Sequence, residues 1–253
     1  MRKRTIILSV LGGLLCLGII DGSIQRIRAN DTLSGPIDLA GVKLLAITGR
    51  ASEIEISADG EGKAEAVLTG TRHGWGAIWR SSWFGRDCAS IGSMERHGDT
   101  VTVHMGGKSD ALAWRDFFWN DADDCTLSLK ASLEPEAAVS IRQNAARMVM
   151  TGDFASIDLV SDAGDFSLVG HASKLAIEGA ALRARLTFER ITQSEANSIS
   201  GKMLDASLRF LVPTKIAYGV EAVASFVDSA LPNTPGAKPD IRIRGDMVRV
   251  SIR

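Results

Sequence analysis

The chain has 253 residues, 45% of them hydrophobic and 23% charged, with a formal net charge of −1. That length supports one or two domains with a real core, and that apolar content excludes a disordered chain. Beyond residue 30 the chain holds 24 Lys+Arg against 29 Asp+Glu, an acidic balance that speaks against nucleic-acid or anionic-lipid binding.

The N-terminus opens Met1-Arg2-Lys3-Arg4, followed by Thr5 to Ile20 without a charge. Cations ahead of an apolar run make a signal peptide or a signal anchor, with the basic end kept in the cytoplasm. Sixteen helical residues span about 24 Å, slightly short of a bilayer's hydrocarbon core. The nearest small-residue cleavage candidate, Ile27-Arg28-Ala29, lies far downstream and is charged. Leu14-Leu15 before Cys16 makes a poor lipidation site. The expectation is an uncleaved transmembrane helix that contacts the membrane through residues 5–20. Residues 1–30 then form the anchor and juxtamembrane linker, and residues 31–253 an exported β domain. The corresponding topology is single-pass, with the C-terminal domain exported; the alternative is a cleaved, exported chain.

Strands follow. Val42–Ile47 and Ser52–Ser57 run into turns at Thr48-Gly49 and Asp59-Gly60-Glu61-Gly62, and Ala64–Thr69 gives a third run. Ile54 and Ile56 alternate with Glu53 and Glu55, the mark of a strand with one wet face.

Residues 71–125 change character and read as an insertion on the β framework. They hold Trp75, Trp79, Trp83, Phe84, Trp114, Phe117, Phe118 and Trp119, eight of the chain's fourteen aromatics. Tryptophan is frequent both at binding hot spots and in buried clusters, so these residues are the candidate partner-binding aromatics, with a satellite core as the competing reading. The span also holds Cys88 and Cys125. In an oxidising compartment two such thiols pair, and a bridge over about 37 residues contributes roughly 3–4 kcal/mol. Between them Asp99–His104 alternates as a further strand.

From residue 126 the chain becomes periodic. Val139–Ser156, Ile157–Lys174 and Leu175–Thr192 align as three eighteen-residue units. Val139, Ile157 and Leu175 share one column, and Ile141, Leu159 and Ile177 another. Ala145, Ala163 and Ala181 form a third, and Met150, Leu168 and Leu186 a fourth. This pattern predicts an all-β fold, a β-solenoid-like stack of short strands with 18-residue rungs over 139–192, set behind the transmembrane helix. The alanine column suggests a tight corner. An antiparallel meander is the competing topology. Further on the period breaks after 192, Ala206–Val212 and the loop Pro232–Pro239 follow, and Tyr218–Leu231 reads as a short helix. Ile241–Arg244 and Met247–Ile252 read as a hairpin turning at Gly245-Asp246.

Leu133-Glu134-Pro135, Ala138–Arg142, Thr151-Gly152-Asp153-Phe154, Ala163-Gly164-Asp165-Phe166 and Arg244-Gly245-Asp246-Met247 resemble the "putative-adhesin" domains, the β-solenoid head domains of bacterial cell-envelope proteins. The resemblance covers about 37–70 and 126–253 and departs over 71–125. It implies export and a binding or structural role, and it carries no catalytic residues.

The four histidines, His73, His97, His104 and His171, form no metal pair and no triad context. They are expected to be surface or strand residues. No nucleophile elbow, phosphate loop or dinucleotide fingerprint is present in the sequence. Asp121, Asp123 and Asp124 read as an acidic turn. Asp153 and Asp165 read as residues of equivalent turns, and a paired acid–base role for them stays open. The expectation is thus a non-enzymatic, membrane-anchored binding module with no cofactor and no metal. Its partner would be an envelope protein, a polysaccharide or a second copy. A structural or stress-sensing scaffold is the alternative, and a polysaccharide hydrolase the third.

Overall fold

Runs of alternating β-branched and aliphatic residues interrupted by single glycines favour strands that bend and continue. The computed structural model describes residues 36–72, 88–106, 125–192 and 195–253, and these are almost entirely β. The strands are β1 (Ile37–Asp38), β2 (Leu44–Ala58), β3 (Glu65–Arg72), β4 (Gly92–His97) and β5 (Thr100–Met105). They continue with β6 (Cys125–Ser132), β7 (Ala137–Phe188), β8 (Ala196–Phe210), β9 (Ala217–Ser229) and β10 (Asp240–Ile252). Among the described residues the one helical turn is the short 3₁₀ segment Cys88–Ile91. No helix there is long and apolar enough to cross a membrane. The anchor expected over residues 5–20 lies outside the described residues.

Most pairing is parallel. β2 pairs with the first part of β7, the last part of β7 with β8, and β8 with β10. β7 stacks on itself at the expected spacing. A Cβ at Gly170 would sit 2.1 Å from the Gly152 carbonyl oxygen, and one at Gly179 would sit 1.9 Å from that of Ser161. Successive layers are therefore so close at these points that only glycine fits. Each strand turns a corner at one residue that the ladder skips: Arg50 opposite Asn144, Ala180 opposite Lys202, and Asp246 opposite both Lys202 and Val223. The skip switches which parity points inward.

Three of the four columns are core. Val139, Ile157 and Leu175, then Ile141, Leu159 and Ile177, then Met150, Leu168 and Leu186 are all buried. Removing each such side chain from water contributes about 1.5–3 kcal/mol. The alanine column does mark the corner, but on its outer side: Ala145 and Ala163 are exposed and Ala181 half-buried. The skipped residue places Ala146 and Leu182 inward instead. Phe154 and Phe166, the aromatics of the two Gly-Asp-Phe motifs, are fully buried.

The two ends of the stack are built differently. At one end β5 and β6 together make the layer beside β2, each pairing with one arm of it. β4 and β3 run antiparallel over them, and β1 runs antiparallel along β3. At the other end β10 lies between β8 and β9, although β9 precedes it in the chain. The sheet does not close, and its path ends at β1 and β9.

Two expectations are corrected. Tyr218–Leu231 is not a helix: Ala217–Ser229 is strand, because Tyr218, Val220 and Val227 extend the inward columns of β10 and its backbone completes that ladder. Gly245-Asp246 is not a hairpin turn. It is another corner, and β10 continues through it parallel to both neighbours.

Candidate functional site

Trp75, Trp79, Trp83, Phe84, Trp114, Phe117, Phe118 and Trp119 lie outside the described residues, as do His73, Asp121, Asp123 and Asp124. The flanks of those stretches converge. Cys88 is buried, and a Cβ at Gly70 would approach its Cβ to 2.9 Å. Gly70 pairs with Leu127, two residues beyond Cys125, and Cys125 itself pairs with Arg72. The 71–125 span also contributes regular structure, since β4 and β5 lie within it.

The carboxylates suggested as a pair do not occupy equivalent turns, because twelve residues separate them and the layers repeat at eighteen. Each is held by its own arginine, Asp153 by Arg190 at 3.0 Å and Asp165 by Arg185 at 3.0 Å. His97 and His104 are exposed; His104 Nδ1 lies 2.7 Å from Thr48 Oγ1.

His171 is a strand residue of β7, within the expectation, but it is buried rather than exposed. Its ring stands 3.0 Å from Glu195 Oε1, and their side chains are 3% and 0% exposed. Glu195 Oε1 also accepts a hydrogen bond from the Thr192 backbone N–H at 2.6 Å. Burial pushes the Glu195 carboxyl above its ordinary range, and the Thr192 N–H and the His171 charge oppose that only in part. Buried Asn197 lies on β8 opposite Leu175, one residue beyond the Ala196–Lys174 pair. The His171 and Glu195 side chains are thus both closed off from solvent. Nothing in the sequence marks the pair, since 24 residues separate His171 from Glu195.

The surface feature that stands out is apolar. Along the outer side of the corner, Ala181 pairs with Met203, Met203 with Met247, and Met247 with Ala224. Met203, Met247 and Phe226 are 50%, 56% and 62% exposed. They line a shallow groove of about 790 Å³ with Leu182, Leu204 and Val248 in its floor. The polar rim comes from Asp165, Arg183, Asp205 and Arg249. A second depression of about 280 Å³ lies at the start of β9 and β10, between Tyr218, Asn233 and Arg242. The alanine column was the one signal for the groove: it continues into methionine where the eighteen-residue period has already broken.

Comparison with known proteins gives fold neighbours at low identity. The chain is similar to a "putative cell adhesion protein" from Clostridium sporogenes, at 8% identity over 86% of this chain and 96% of that one, with a TM-score of 0.42. It is similar to a "putative adhesin" from Bacteroides fragilis, at 10% identity over 86% and 95%, with a TM-score of 0.40. A third, a "putative adhesin" from Parabacteroides distasonis, has 11% identity over 85% and 94% and a TM-score of 0.27. No protein-family model matches the chain, and no curated protein matches it.

Proposed function

We propose that the chain is a non-enzymatic cell-envelope protein, held in a bacterial inner membrane by residues 5–20, whose repetitive β head is a β-solenoid binding module in the periplasm. The observation that carries the binding role is the exposed column Met203–Met247–Ala224 beside Phe226. Soluble monomers seldom leave several large apolar side chains contiguous in water, and methionine suits a surface that adapts to its partner. The charged rim supplies orientation, as at other protein-binding surfaces. The basic cluster before Thr5–Ile20 supports the anchor. The approach of Cys88 to Gly70 and of Cys125 to the same ladder supports a Cys88–Cys125 bridge in that compartment.

The test is capture from cross-linked cells, comparing wild type with a Met203→Ser/Met247→Ser double variant and with Trp79→Ala and Trp119→Ala. The groove reading expects the double variant to lose captured partners while melting at an unchanged temperature. An unchanged set of partners in the double variant sinks it. Mass spectrometry of the mature N-terminus tests the anchor, and a chain beginning near Asn30 overturns it.

A further inference from the structure

We infer that the free edge of β9 is a self-association surface, on which a second copy of this chain adds its own β9 antiparallel across a two-fold axis at the corner. Three observations carry the inference.

First, the edge is long, and it is open beyond Tyr218, where the loop that holds Ile216 and Tyr218 through Thr234 and Asn233 leaves it. β9 has thirteen residues, pairs only with β10 among the described strands, and contains no Lys, Arg or Pro. Natural edge strands are usually blunted by those residues or by shortness. None of its residues is fully buried; Val223 is 88% exposed and Val227 is 38% exposed.

Second, the backbone polarity of the edge is self-complementary. The Ala217 N–H bonds the Pro239 carbonyl and the Ala230 N–H bonds the Ile252 carbonyl, so the odd residues before the corner and the even residues after it face β10. Val220, Ala222, Ser225 and Val227 therefore turn their N–H and C=O groups outward. The Asn233 side chain already occupies the equivalent groups of Tyr218, accepting from its N–H at 3.1 Å and donating to its C=O at 2.9 Å. An antiparallel partner in which Val220 meets Val227 and Ala222 meets Ser225 matches outward groups to outward groups on both arms. It forms about eight new backbone hydrogen bonds.

Third, that register also matches side chains. Val220, Ala222, Ser225 and Val227 all continue inward columns of β10, opposite Ile243, Gly245, Val248 and Val250. The pairing thus sets inward residues against inward residues and extends the core across the axis. On the outer face it sets Glu221 against Phe226 and Asp228 against Gly219, with no like charges opposed. A slip of two residues would place Glu221 opposite Asp228 of the partner copy twice, a repulsive arrangement. In the chosen register those carboxylates are diagonal neighbours, and each already carries an arginine: Arg244 on Glu221 at 2.9 Å and Arg253 on Asp228. Val223 and Ala224 meet at the axis, so the apolar corner columns of the two copies become continuous.

The inference names one partner for the binding-module reading. The edge variants below leave Met203 and Met247 in place, so the two fail separately. The full chain, extracted in mild detergent, is measured by sedimentation equilibrium as wild type, Val227→Pro and Val223→Lys. Val227→Pro deletes one outward donor per copy, and Val223→Lys puts a charge at the axis on a solvent-exposed corner that tolerates it. Wild type is expected to dimerise, and each variant to weaken the dimer roughly tenfold or more while keeping its β circular dichroism. A benzoylphenylalanine at position 226, in a mixture of ¹⁴N and ¹⁵N chains, is expected to cross-link between copies to the peptide around Glu221. A chain that stays monomeric at about 0.1 mM, a dimer indifferent to both variants, or cross-links formed only to another protein would overturn the inference.

Discussion

The two ends of the stack solve the same problem in opposite ways. At the β3/β4 end the chain reverses and lays short antiparallel strands over the parallel layers. β3 has eight residues and β4 six, and β4 ends in Glu95, Arg96 and His97. Leu68 of β3 is fully buried, as are Val101, Val103 and Leu129 on the strands beneath. At the β9 end the last layer is thirteen residues long, its inward residues are only half covered, and its outer face carries Val223 and Phe226 into water. Both ends are made from the same kind of strand. The difference teaches that a repeating β layer needs no special sequence to stack, only a special one to stop. Among the described strands the first end has its stop, whereas the second has none, and the proposed β9 dimer would supply it.

The largest effect expected from breaking this contrast is at Gly49, the inward glycine of the corner near the capped end. A Cβ there would sit 1.9 Å from the Met105 carbonyl oxygen and 2.7 Å from its carbon. Those are backbone atoms of β5 and cannot swing aside. Gly49→Ala is expected to cost roughly 3 kcal/mol or more, read as a lower urea midpoint with an unchanged slope. A midpoint within error of wild type would show that the capped end is loosely packed.

Arg96 is the next step down. Its guanidinium donates to the carbonyls of Asp38 at 2.7 Å, Ala40 at 2.8 Å and Gly98 at 3.0 Å. It clips the segment around β1 to the turn between β4 and β5. The side chain is exposed, so water replaces part of what is lost, and Arg96→Met is expected to cost about 1–2 kcal/mol. Hydrogen exchange should quicken first in residues 37–40. Unaltered exchange there would mean that β1 is held by its ladder alone.

Between the ends lies a titrating group. The Glu195 carboxyl is held above its ordinary value chiefly by burial. A carboxyl so raised binds its proton more tightly in the folded chain than in the unfolded one. Its stabilising contribution is complete below the unfolded value and is lost as pH rises through the folded value. Wild type should therefore lose stability relative to Glu195→Gln as pH rises through and just above the ordinary glutamate range. Glutamine keeps an oxygen for the Thr192 N–H. Parallel pH curves for the two proteins would show that Glu195 is ionised at no cost.

The readable parts of this fold were those fixed by local repetition. Val139, Ile157 and Leu175 disclose the layers because each is chosen by the same inward position in successive layers. The corners are less legible. A skipped residue such as Asn144 or Asp246 changes inward parity without changing composition, so the alanine column marks a corner without telling its inner side from its outer, and Gly245-Asp246 looks like a reversal. β9 is hidden for a different reason. Ala222, Val223 and Ala224 across its corner give no alternation, and only pairing with a strand that comes later in the chain makes the segment extended. The groove inherits both difficulties, since Met203, Met247 and Phe226 come from three strands brought together by an out-of-order insertion. His171 and Glu195 meet because adjacent layers bring distant residues together.

The smallest effect expected is the one that most sharply separates the ends. Gly219 sits in the first arm of β9, and a Cβ there would meet nothing within 4 Å. Its backbone needs no left-handed conformation, so alanine fits the native geometry. Replacing it removes freedom from the unfolded chain without adding a clash, a gain of about 0.4–1 kcal/mol. For a chain of this size that is a rise in melting temperature of roughly 1–4 °C. The same Gly→Ala change therefore has opposite signs at Gly49 and Gly219, because one faces a packed layer and the other faces solvent. In the proposed dimer Gly219 lies opposite Asp228, where a methyl group is accommodated, so the gain should persist when the two copies associate. A destabilised Gly219→Ala would mean that the outer face of β9 is already covered by packed atoms, and the contrast between a packed layer and a solvent-facing one would fall with it.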